Sequence, residues 1–305
     1  MRAPRLFLVD VFARTALTGN PLAVVVSDEV LSEPCMQSLA AELNFSETTF
    51  VQRAPQTTGA YRVRMFTPAR EVDFAGHPIL GTGWVVRRHL DRVRGASPVR
   101  LRLNVGEVPV TFEGRGGAQT AWFTSPPVAL GDRFPSKSLA PALGLNAEDF
   151  DDRFPVQVVG AGTRALMVPL RSLDALRRAR LDLDKLAPLV TAGAPMLSYL
   201  FFPGASDPNS HVTARFFFEA NGVREDPATG NGAAFLGAYL MEYRALGQGP
   251  LDLRIDQGAE VGRPSWVRLR ARRDDRALTI SVGGSVMPVA RGTLASVMAA
   301  SKRTV

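Results

Sequence analysis

Three ionisable side chains of this 305-residue chain stand where proton chemistry could be done: Glu47 in "NFSETTF", His77 in "FAGHP" and Asp226 in "EDPATG". A carboxylate set between Ser46 and Thr48, just after a helical segment and at the opening of a strand, can be held at a domain mouth by its hydroxyl neighbours. Partial burial there raises a carboxyl pKa towards the range in which a general acid–base group works. His77 is suited to hold a substrate carboxylate or hydroxyl, or to relay a proton near neutral pH. Asp226 can accept a hydrogen bond from an amino or hydroxyl group. Each also has an ordinary explanation: a solvated charge after a helix, a residue capping a helix start, and an Asp-Pro-x-Thr-Gly turn. What raises them above it is the set of elements that must carry them.

His77 and Asp226 both stand at a polar corner, where an extended segment gives way to an apolar run that starts with glycine. The runs "GHPILGTGWVVRRHL" and "GNGAAFLGAYLMEYRAL" are apolar nearly all round at their starts, the pattern of a helix buried most simply inside a curved sheet. A shift of 151 residues places Arg64 on Arg215, Phe66 on Phe217, Ala69 on Ala220, Val72 on Val223 and Gly81 on Gly232. Strand, corner and helix thus recur in the same order, as internal duplication predicts. If each half buries such a helix, both helices can aim their amino ends at a cleft between the domains. Unpaired N–H groups and roughly half a positive charge at each end would then cradle a carboxylate or an enolate-like anion. The glycines would let the backbone approach the ligand closely.

The remaining segments fit a two-domain α+β chain, as a length of 305 residues suggests. "RLFLVDVF" and "PLAVVV" read as strands around a "TGNP" turn, and "SEPCMQSLAAELN" as a helix with Ser32 as N-cap and Asn44 at its end. "ETTFVQR" and "YRVRMFTP" alternate like strands. Residues 125–155, rich in proline, read as irregular, "SLDALRRARLDLDKLAPLV" as amphipathic helix, and "VGG" near residue 283 as a turn between strands.

Composition narrows the function. Thirty-six basic against 29 acidic residues leave +7, but the basic residues are scattered. The densest set, "RRHLDRVRGASPVRLRL", reads as a solvated helix end and the outer face of a strand rather than a nucleic-acid groove. One cysteine, Cys35, rules out an internal disulfide and a cysteine-cluster zinc site, and fits a reducing cytoplasm. It lies in the first helix, away from both corners, where a packing role is expected. His77, His89 and His211 show no metal-ligand spacing. There is no GxSxG elbow, Walker loop or GxGxxG after a strand, and "GAGTRAL" lacks a phosphate loop's lysine. No apolar window approaches membrane-spanning length.

Five segments, "VDVFARTALTGNPLAVV", "MQSLAAELNFSETTFV", "FTPAREVDFAGHPILGTG", "VREDPATGNGAA" and "GAEVGRPS", occur in an order that resembles the PhzF-like proteins of phenazine biosynthesis. The resemblance implies the diaminopimelate epimerase-like fold: α+β, with two similar domains, each a curled, mostly antiparallel, barrel-like sheet wrapped round a central helix. It assigns residues 1–124 plus 288–305 to a half carrying Glu47 and His77, and 125–287 to a half carrying Asp226. It further implies a cofactor-free, metal-free isomerase, cytoplasmic and homodimeric, acting on a small carboxylate-bearing cyclic substrate such as trans-2,3-dihydro-3-hydroxyanthranilate. In that scheme Glu47 is the acid–base residue, His77 and Asp226 support it, and Asn20, Ser46, Gly76, Gly230 and Asn231 contact substrate. An epimerase or tautomerase acting on another substrate, and a non-catalytic binding homologue, are the alternatives. Related epimerases place a cysteine at each corner. Here the corners offer Ala75 and the Asp226–Pro227 region, so a two-thiol racemisation is excluded. Asn231 stands where the family's corner more commonly ends in serine.

Overall fold

The computed structural model describes residues 3–52, 59–90, 98–114, 119–205, 207–220, 223–275 and 277–294. The chain divides into two compact units, Met1–Phe123 with Gly283–Val305, and Thr124–Val282. The first unit contains β1 (Arg5–Val11), β2 (Asn20–Ser27), α1 (Glu33–Leu43), β3 (Thr48–Gln52), β4 (Ala60–Phe66), β5 (Glu71–Val72), α2 (Gly76–His89), β6 (Val99–Leu103), β7 (Gly106–Glu113) and β8 (Thr120–Thr124). The second contains β9 (Ala129–Phe134), α3 (Ser136–Leu139), β10 (Val156–Ala161), β11 (Thr163–Pro169), α4 (Leu173–Arg178), α5 (Leu183–Thr191), β12 (Ser198–Phe202), β13 (Val212–Ala220), β14 (Val223–Asp226), α6 (Gly230–Tyr243), β15 (Leu251–Gln257) and β16 (Ser265–Asp274). A last strand, β17 (Ala277–Thr293), contributes to both.

In the first unit the strands close on themselves. β1 pairs β2 antiparallel, β2 runs parallel to β3, β3 pairs β4 antiparallel, and β4 runs parallel to β6. From β6 the ladder continues antiparallel through β7 to β8, β8 meets β17, and β17 returns antiparallel to β1. The eight-stranded ring leaves no unpaired edge. Its interior holds α2, whose residues 76–83, Val85 and Val86 are all buried. A helix that is apolar on every side has nowhere else to go.

The second unit repeats this wiring. β10–β11, β12–β13 and β15–β16 are antiparallel, and β11–β12 and β13–β15 are parallel, in the order of β1–β2, β3–β4, β6–β7, β2–β3 and β4–β6. The short strands β5 and β14 pair with β4 and β13 at matching places, with Phe66 opposite Glu71 and Phe217 opposite Glu225. The shift of 151 therefore holds up to Phe66 and Phe217 but becomes 154 beyond the hairpin, where Gly76 and Gly230 both start the buried helices. Val72 corresponds to Asp226, not to Val223, and Ala75 to Thr229, not to the Asp226–Pro227 pair.

Three further expectations are corrected. "VGG" is no turn: β17 runs unbroken through it, and its glycines are there because a Cβ on Gly283 would lie 2.4 Å from Trp122 and one on Gly284 2.3 Å from Phe12. Residues 125–155 are irregular only in part, since β9 and α3 lie within them. The segment "SLDALRRARLDLDKLAPLV" forms two helices rather than one, because Ser172 caps α4 and Asp182 caps α5 through bonds to Ala175 N and Lys185 N. Asn44 does end α1 in the left-handed region, at φ 52°, and Ser32 occupies its N-cap position, though its side chain does not cap the helix. In the basic stretch, Arg100 and Arg102 face outward from β6, and residues 91–97 lie outside the described residues. Among the described residues no helix is long and apolar enough to cross a membrane.

Candidate active site

Glu47 follows the left-handed Asn44 by three residues and directly precedes β3. Within the barrel, Thr49 of β3 and Thr82 of α2 share a buried hydroxyl–hydroxyl bond of 2.8 Å, which fixes the start of the strand against the helix. That brings the Glu47 carboxylate to His77, with Oε2 3.4 Å from Nε2. Both side chains are largely enclosed, 14% and 5% exposed. On the other side of the ring, the Asn20 amide nitrogen lies 3.3 Å from Nδ1. Asn20 opens β2 directly after Gly19, whose φ of 72° and whose distance of 2.3 Å from a would-be Cβ to Val11 O admit only glycine.

Burial pushes the His77 pKa down to about 3, and its seat in the first turn of α2, the positive end of the helix, acts in the same direction. The imidazole is therefore neutral at working pH. With the Asn20 amide donating to Nδ1, the ring proton sits on Nε2 and faces Glu47. The Glu47–His77 contact is thus a neutral donor facing a carboxylate, not an ion pair. Its length exceeds that of an aligned N–H···O bond, and such contacts commonly tighten only when substrate is bound. Ser46, half-buried beside Glu47, and Gly76, buried at the first position of α2, complete the expected set in this unit.

In the second unit Asp226 ends β14 and is 7% exposed. Its Oδ2 accepts a 2.5 Å bond from the Thr229 hydroxyl. Thr229 is the N-cap of α6, but its side chain does not cap the helix, and Ala75 offers no side-chain cap to α2 either. The first N–H groups of both helices have no intrahelical acceptor by geometry, and neither cap side chain takes one up. Gly230 and Asn231 follow, and the Asn231 Oδ1 is buried without a hydrogen-bond partner among the described residues.

The glycines further along these helices serve packing, not ligand approach. A Cβ on Gly81 would lie 2.5 Å from Leu22, on Gly83 2.8 Å from Val110, on Gly232 2.5 Å from Tyr199 and on Gly237 2.9 Å from Leu269. Sequence reasoning also missed Gln257 and Tyr199. Gln257 was findable: β15 alternates, with Leu251, Leu253 and Ile255 buried, and a polar residue continues the buried side. Cys35 is buried with its thiol pKa raised by burial, as a packing residue requires. Among the described residues no three His, Cys, Asp or Glu side chains converge as metal ligands.

Residues 9–292 match the family described as phenazine biosynthesis-like protein, PhzC-PhzF. The chain belongs to that family. It is 36% identical over 291 residues, 94% of its own length and 98% of the relative's, to the trans-2,3-dihydro-3-hydroxyanthranilate isomerase of Pseudomonas aeruginosa. A predicted epimerase from the same organism superposes with a TM-score of 0.79 at 31% identity, covering 96% of this chain and 99% of that one. The Bacillus anthracis phenazine biosynthesis protein of the PhzF family shares the fold with a TM-score of 0.85 at 24% identity, with the same coverage. This PhzF-like chain is accordingly an isomerase with the two-domain α+β epimerase fold.

Proposed function

We propose that the protein moves a proton between carbons of a small, cyclic, carboxylate-bearing substrate of the trans-2,3-dihydro-3-hydroxyanthranilate type, with Glu47 as general acid–base group. The observation that carries this reading is the enclosed Glu47 carboxylate facing a neutral imidazole at 3.4 Å. Glu47 takes the proton from one substrate carbon as its C–H bond breaks, and the same carboxyl returns it to another carbon. His77 Nε2–H orients the carboxylate. N–H groups at the start of α2 stabilise negative charge developing on the substrate. Asp226 accepts a hydrogen bond from the substrate's amino or hydroxyl group. The scheme requires neither cofactor nor metal, and we extend it to a cytoplasmic homodimer.

Incubation with trans-2,3-dihydro-3-hydroxyanthranilate in heavy water tests it. Wild-type protein is expected to place deuterium at one ring carbon, and Glu47→Gln to bind but not to exchange. Wild-type turnover by Glu47→Gln would remove Glu47 as the base. A second reading keeps the chemistry and changes the substrate, because Asn231 presents an amide where the family's corner commonly carries a hydroxyl. A panel of cyclic amino and hydroxy acids under the same conditions separates the two.

A further inference from the structure

We infer that Gln257 is a positioning residue of the reaction, locking the orientation of the Asp226 carboxylate through the Thr229 hydroxyl. The inference rests on the role given to Asp226 above. The Gln257 side chain, 2% exposed, uses its whole hydrogen-bonding capacity on one corner and its neighbour. Its Nε2 donates to Asp226 O at 2.8 Å and to Thr229 Oγ1 at 3.2 Å. Its Oε1 accepts from Thr229 N at 3.3 Å and from Tyr199 OH at 3.5 Å. Because a carbonyl can only accept and an amide N–H can only donate, these partners fix which end of the amide is which. The orientation then propagates. Thr229 Oγ1 accepts a hydrogen bond from Gln257, so its own hydrogen points at Asp226 Oδ2, which accepts that bond at 2.5 Å. Backbone and carboxylate of Asp226 are thus held from one buried amide.

Duplication supplies an internal control. The parallel pairings of β4 with β6 and of β13 with β15 place Leu103 at the position of Gln257. The residue corresponding to Asp226 is Val72, as the hairpin registers show. At these matching positions Val72 bears no carboxylate and the buried Leu103 offers no amide; the neighbouring Asn104 donates instead to Asp73, at 3.0 Å on the exposed side. The buried amide accompanies the acid and not the fold, as expected of a group that serves the carboxylate. Gly258 allows the approach: with φ at +83°, a Cβ there would lie 2.4 Å from Pro227 O.

The test compares Gln257→Leu, Thr229→Val and Thr229→Ser with wild type on trans-2,3-dihydro-3-hydroxyanthranilate, with Glu47→Gln in parallel and a melting curve for each. Misplacing a positioned group by about 1 Å costs on the order of a hundredfold. A fall of that size is expected in kcat, with KM changed little, for Gln257→Leu and Thr229→Val, while Thr229→Ser, which keeps the hydroxyl, stays close to wild type. Should Gln257→Leu fail to fold, the Thr229 pair decides alone. Wild-type kcat in both Gln257→Leu and Thr229→Val, or equal losses in Thr229→Ser and Thr229→Val, overturns the inference. If Glu47→Gln is inactive while those two variants are unimpaired, only the positioning role falls. If Glu47→Gln itself turns over normally, the functional reading has failed.

Discussion

The two corners of this chain repeat one wiring and carry different side chains. In the first, a carboxylate just before β3 meets a histidine in the first turn of α2 at 3.4 Å. In the second, the carboxylate is on the corner itself and is pinned by a 2.5 Å hydroxyl bond with a saturated amide behind it. The residue that matches Glu47 is Leu197, and the one that matches His77 is Asn231. One half therefore carries a carboxylate that faces an imidazole, and the other a carboxylate held by a hydroxyl with a buried amide behind it. A scaffold whose halves repeat one wiring can thus carry different side chains at its two corners, which is what the proposed split into acid–base work and substrate orientation requires.

The largest effect that can break this comparison is kinetic. Glu47→Gln is expected to lower kcat by roughly a hundred- to ten-thousandfold, the usual loss for a positioned general base. Asp226→Asn, which keeps shape but weakens an acceptor, is expected to lose less. Steady-state assays of both check the order, and a reversal would exchange the roles of the two corners.

A second test uses a pair that the halves share. Arg64 bonds Glu71, and Arg215 bonds Glu225, at equivalent positions beside each hairpin. Arg64 is 21% exposed, whereas Arg215 is 4% exposed and also donates to the carbonyls of Leu176 and Ala179. Removing one partner of a buried pair costs about 3–5 kcal/mol, and of a more accessible one about 1 kcal/mol or less. Urea unfolding of Arg215→Ala and Arg64→Ala is expected to show that contrast, and equal losses would contradict it.

His77 gives a third. Its folded pKa of about 3 lies below the ordinary histidine value of 6.5. Between those values the unfolded chain binds the extra proton, so this group makes stability fall as pH drops from 6.5 towards 3, by up to about 1.4 kcal/mol per pH unit. His77→Asn is expected to flatten that part of a stability–pH curve, measured by denaturant titration. An unchanged slope would mean the ring is charged in the folded protein. The smallest effects are in packing. Gly83→Ala and Gly232→Ala each force a methyl into the barrel wall and are expected to cost about 1–3 kcal/mol, read as a lowered melting temperature.

Much of this was legible in the residues. The all-round apolar helices announced two enclosed helices, and strand alternation announced the sheets around them. Glu47 and His77 could be paired as candidates, and the structure brings them together with Asn20. What escaped has physical reasons. A three-residue lengthening of one hairpin hid the true register, so Val72 was set against Val223 instead of Asp226. Glycines that a turn and a close approach demand look alike in a sequence, which is why "VGG" reads as a turn while it continues a strand. Gln257 escaped because a side chain that braces another through a third leaves no motif, only a polar letter on a buried stripe.

The unbroken course of β17 bears on how the protein is made. The first barrel is completed by Val286–Thr293 pairing with β1, whose own residues, Arg5–Val11, are synthesised well over two hundred residues earlier. At about 5–20 residues per second, the opening strand waits on the order of tens of seconds for its last neighbour, with a barrel seam unsealed meanwhile. Vectorial synthesis can finish nearly the whole second half before the first can shut, so a truncation that spares every residue up to Val282 still strips the leading half of its closing stave.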